Sequence, residues 1–150
     1  MNITKIIFFL ITIYVGGFML YGGYQKFAKP LPTPTKMIET FEKEGAKKMK
    51  EDKKLVIKNY IFGLKQTGFF WQFLGICEIL FALMIISQYL RFIGAVMLVP
   101  ITLQIFLFHL FLELDDIEEL IETGLLFLGN LALIFKEFKH WKHLIITNKF

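Results

Sequence analysis

The sequence has a single cysteine, Cys77, and with it no internal disulfide and no dithiol pair of the vitamin K epoxide reductase kind. Metal and nucleotide signatures are missing too. There is no H-E-x-x-H, no P-loop and no G-x-G-x-x-G, and no metal ligand set is assigned. Of the three histidines only His109 falls in an uncharged stretch, so a haem held by two histidines between helices lacks a second ligand. Proline is scarce, and three of its four copies crowd into residues 30–34. Charge itself is absent over long stretches. No charged residue occurs from Ile6 to Tyr24 or between Arg91 and Glu113, and Glu78 is alone between Lys65 and Arg91. Such runs do not make a soluble surface, and their hydrophobicity excludes intrinsic disorder.

Hydrocarbon is what the chain has in excess. Hydrophobic residues reach 55%, 18 Phe among them, and mean hydropathy is +0.56. Soluble domains hold roughly 45–50% with glycine counted in. A length of 150 residues suits one domain. We read residues 1–150 as a single all-α membrane domain, a four-transmembrane-helix antiparallel bundle with spans near 5–25, 67–89, 91–112 and 118–137. A span needs about 20 apolar residues to cross roughly 30 Å of hydrocarbon. The fourth segment is clean only over 123–135, and it reaches full length if Glu118, Glu119 and Glu122 lie among headgroups or face protein. The first is expected to be a retained helix, because its run exceeds the roughly 7–15 residues of a signal-peptide core and no small-x-small site follows it.

The connections differ in kind. A few residues around Ser87–Arg91 join the second and third segments, which forces antiparallel neighbours. The first connection, residues 30–66, is long and rich in lysine. Met37, Ile38, Phe41, Ala46 and Met49, then Val56, Ile57, Tyr60, Ile61 and Leu64, recur at helical spacing and predict amphipathic helices on the membrane surface. The third connection is acidic, and the basic tail with Trp141 reads as an interfacial anchor. Acidic lipid headgroups account for the net charge of +4, so no nucleic-acid partner is invoked.

Polar groups at membrane depth are costly and are functional candidates. At about 1.5 Å per residue, Glu78, Gln104 and Asn130 fall in or near a central layer, forming a candidate intramembrane polar cluster. Lys26, Gln72, His109 and Thr123 fall under the face that carries the first and third connections, a candidate mouth for a ligand or partner. Gln104 and His109 lie about 140° apart on their helix, so one centre does not take both unless Pro100 distorts it. Desolvation of a lone carboxylate predicts an uncharged Glu78. The plainer reading is that Glu78 only ties helices together through Asn130 or Gln104.

Four pieces together resemble the DoxX family of small four-helix bacterial membrane proteins. Gly23-Tyr24-Gln25-Lys26-Phe27 is similar to the family's G-x-x-K-F, and Gly75-Ile76-Cys77-Glu78 to its G-x-x-E. Phe108-His109-Leu110-Phe111 resembles the aromatic, His-containing end of its third helix, and Asn130 stands where many members carry a polar residue. The resemblance implies an inner-membrane, multi-pass protein; some members belong to membrane redox complexes, among them a thiosulfate:quinone oxidoreductase. It assigns no enzyme class. No cofactor is evident in the residues, and quinone is the one the resemblance suggests. The expected partners are the lipid bilayer and a membrane or soluble redox partner. A quinone- or redox-partner-associated subunit therefore competes with a non-catalytic scaffold that recruits a partner, and with a small transporter or lipid-binding protein.

Overall fold

The computed structural model describes residues 3–28, 35, 38, 39, 42 and 52–145. Five helices organise the two long stretches: α1 (Ile3–Ala28), α2 (Asp52–Gln66), α3 (Phe70–Ile86), α4 (Arg91–Leu112) and α5 (Ile117–Ile145). No strand occurs among the described residues. The amphipathic segment expected around Met37–Met49 lies largely outside them; Ile38 is helical and exposed.

Four of these helices pack as an antiparallel ring. α1 lies against α3 and α5, and α4 lies against α3 and α5. The directions follow from the contacts: Gly16 meets Ile86 while Gly23 meets Gly75, and Gly129 meets Val15 while Lys136 lies over Phe8. The apolar centre takes two side chains from each: Val15 and Met19, Ala82 and Ile85, Ala95 and Leu98, Leu126 and Leu133. Outside the ring, Phe9, Ile13, Phe73, Leu80, Met97, Leu125 and Leu128 are exposed. An apolar exterior of this extent is a liability in water and ordinary in lipid.

Local chemistry sets the ends. Thr67 Oγ1 donates to the Leu64 carbonyl and accepts the Phe70 N–H, and Gly68 has φ +77°. This corner turns the last turns of α2 by 91° from α3. It also delays α3, which runs 70–86 where the sequence predicts 67–89. At its far end Ser87 Oγ donates to the Met84 carbonyl and Gln88 takes φ 62°. Asp116 Oδ1 accepts the Glu119 N–H and caps α5.

By length and composition, α1 and α4 each suffice to cross a membrane. α3 is 17 residues and qualifies only together with the bent end of α2. α5 is long at 29 residues, but charged side chains occupy its two ends.

Candidate functional site

Among the described residues the most buried charged group is Glu78, 1% exposed on α3. Its carboxylate Oε2 accepts from Lys26 Nζ at 2.6 Å. Antiparallel packing brings this about. The Lys26 Cβ stands level with Gly75, since a Cβ on Gly75 would lie 3.1 Å from it. Helical side chains tilt toward the N-terminus of their own helix. Lys26 on α1 therefore leans inward, Glu78 on α3 leans toward the mouth, and the two converge across the one-turn offset. A lysine near a helix end more often snorkels outward; this one is drawn in. Gly22 lies alongside: a Cβ there would make ordinary contact with the carboxylate at 3.8 Å, and its carbonyl accepts a longer bond of 3.4 Å from the ammonium. Trp71 completes the site, with Lys26 Nζ 5.1 Å and Lys65 Nζ 4.8 Å from its ring centre.

Other polar groups are separated from this pair. Gln104 is exposed, and its Nε2 donates to the Tyr60 hydroxyl at 2.8 Å. The Tyr60 ring rests 5.4 Å from Phe108, so α2 is fastened to the outer side of α4. Asn130 is fully buried, and its Nδ2 donates to Thr102 Oγ1 at 3.2 Å while Oδ1 has no partner. The expected grouping of Glu78, Gln104 and Asn130 thus divides into three arrangements. The 100° step per residue turns Gln104 out of the bundle, and Lys26 supplies the partner that Asn130 and Gln104 do not. Glu78 is not the lone carboxylate on which the expectation of an uncharged side chain rested. Of the mouth residues, Thr123 is buried and donates to the Glu119 carbonyl of its own helix at 2.8 Å. Gln72 has a buried, unpartnered Oε1. His109 Nδ1 lies 2.9 Å from Glu113 and 3.4 Å from Glu119.

The DoxX family model matches residues 7–110. The chain belongs to the DoxX family. Nothing among the curated proteins or the solved structures matches it. Within this DoxX chain the matched stretch holds Lys26, Gln72, Glu78, Gln104 and His109, whereas Thr123 and Asn130 lie beyond it. DoxX membership agrees with the apolar exterior: this is a membrane protein. From sequence, Glu113 reads as part of the acidic third connection and Glu119 as a headgroup or protein-facing charge of the fourth segment; neither is coupled to His109 there. The i,i+4 spacing of His109 and Glu113 was a visible signal, since it puts both on one helix face; Glu119 has none short of knowing how α5 returns. From sequence Tyr60 reads as one apolar position of an amphipathic helix, and its hydroxyl contact follows only from the fold.

Proposed function

We propose that this chain is a multi-pass inner-membrane subunit of four antiparallel spans whose Lys26–Glu78 pair receives a quinone or a quinone-linked redox partner. The observation that carries this reading is an ammonium–carboxylate pair inside an otherwise apolar bundle beside an indole face. A charged pair at that depth needs a reason other than adhesion, because apolar side chains hold helices together with no desolvation cost. The residues suit a flat ring bearing carbonyl oxygens. An ammonium has three N–H donors, and the described contacts engage two of them, with Glu78 and Gly22. The third is available to a carbonyl oxygen. Trp71 offers a flat wall, and Glu78 holds the ammonium in place and accepts a proton from it. A quinone, when bound, would supply two-electron, two-proton redox chemistry. Four spans are supported by the four-helix ring, and α5 spans if its terminal charges reach the headgroups.

Trp71 fluorescence tests the reading. In a Trp141→Phe background, menadione is expected to quench Trp71 saturably. A hydrogen bond from a charged donor contributes about 1.5–3 kcal/mol, so Lys26→Met should weaken binding by roughly tenfold or more. Non-saturable quenching, or equal binding by the variant, would sink the quinone reading. One observation favours the scaffold alternative: Lys26 and Glu78 satisfy each other and require no ligand. In that case quenching by menadione should be linear in the parent as well as in Lys26→Met.

A further inference from the structure

We infer that His109, Glu113 and Glu119 form a binding site for a divalent transition-metal cation of the Zn2+ class, clipping the end of α4 to the start of α5. One imidazole nitrogen and two carboxylate oxygens lie within 4.8 Å of one another. Bonds of about 2.1 Å in a tetrahedral shell separate ligands by roughly 3.4 Å. Here Nδ1 lies 2.9 Å from the Glu113 oxygen and 3.4 Å from the Glu119 oxygen, so a cation fits with small side-chain adjustments.

The backbone prepares the set. His109 and Glu113 are one helical turn apart in sequence, and the Glu113 N–H bonds the His109 carbonyl. Glu119 belongs to the first turn of α5, fixed by the Asp116 cap at 3.1 Å. The imidazole supplies an independent sign. Nδ1 is buried and has no hydrogen-bond partner although two carboxylates are close. Its lone pair is thus open to a cation between them. Imidazole with carboxylates suits Zn2+, Co2+ and related ions, with affinity rising toward the end of the first-row series. Three protein ligands also leave a fourth position for water or an anionic group. Glu119, 54% exposed, gives the ion a way in. The site uses none of the residues that the quinone reading depends on.

The test is calorimetric titration of Zn2+ into the purified, EDTA-treated protein in detergent, with Co2+ absorption between 500 and 650 nm as a second readout (about the range of tetrahedral Co2+ bands). One Zn2+ per chain is expected, with intense Co2+ bands. Losing even an outer-shell partner weakens metal sites about 10–100-fold, so Glu119→Gln should weaken binding at least that much and His109→Gln should abolish it. Glu118→Gln should bind as the parent does. Glu119 is exposed, so its variant keeps the fold and keeps the test meaningful even where His109→Gln is unstable. No uptake of Zn2+ by the parent, or equal uptake by Glu119→Gln, overturns the site. So would an equal loss in Glu118→Gln, which would mark diffuse attraction to acidic charge.

Discussion

Gly23 and Gly75 meet backbone to backbone beside the Lys26–Glu78 pair. A Cβ on Gly23 would lie 2.9 Å from the Gly75 carbonyl oxygen, and one on Gly75 would lie 3.0 Å from that of Gly23. This approach lets α1 and α3 come close enough for a lysine stem to span the gap. Gly75→Ala is expected to destabilise by about 1–3 kcal/mol through overpacking. Gly17, with nothing within 4 Å of its Cβ position, is the contrast: Gly17→Ala should stabilise by up to about 1 kcal/mol through helix propensity. Thermal unfolding in one detergent compares them, and equal shifts would refute the close-approach argument.

The charge pair predicts a non-additive pattern. Glu78 is 1% exposed and Lys26 13%. Breaking a buried pair from one side costs about 3–5 kcal/mol, whereas replacing both members by apolar groups is often neutral. Lys26→Met and Glu78→Gln alone should each lower stability strongly, and Lys26→Met with Glu78→Met should recover most of the loss. Additive losses in the double-variant cycle would show that the two side chains do not act as a pair.

A second coupling lies between α4 and α5. Thr102 Oγ1 donates to the Leu98 carbonyl of its own helix and accepts from Asn130. Thr102→Val keeps the shape and removes the acceptor. An unpaired buried amide costs about 1–3 kcal/mol, so a drop of that size is expected in denaturant unfolding. No change would mean that Asn130 finds another acceptor.

Gly68 controls the corner between α2 and α3. Its φ of +77° meets open space, so the cost of a side chain there is conformational alone. Gly68→Ala should cost about 1–2 kcal/mol, Gly68→Asn less. Faster amide exchange across residues 56–66 is the expected sign that α2 has loosened, with α1 and α4 unaffected.

Much of the bundle was legible because lipid imposes so simple a demand. The charge-free run after Arg91 predicted 91–112, and α4 occupies Arg91–Leu112. The Ser87–Arg91 turn implied the antiparallel neighbours found. Ends set by a single hydroxyl or glycine, as at Thr67 and Gly68, were less visible. Depth counting failed for the charges. It measures where a Cα sits, and so put Lys26 in the mouth and Glu78 in the centre, yet their side chains lean together across a turn. Gln104 had the depth of a cluster member and the wrong azimuth. Glu119 reaches His109 only because α5 folds back along α4, which no local pattern records.

On the proposed four-span reading, the closeness of Lys26 to Glu78 also bears on how a membrane potential would act on the pair. A unit charge carried across the whole bilayer changes energy by about 2.3 kcal/mol per 100 mV. A proton passing between these two side chains travels no more than 2.6 Å, under a tenth of a hydrocarbon layer of about 30 Å. The field therefore contributes only about 0.2 kcal/mol per 100 mV to that transfer, less than thermal energy. In such a placement, bound molecules and local contacts would outweigh the field in deciding on which side chain a proton rests.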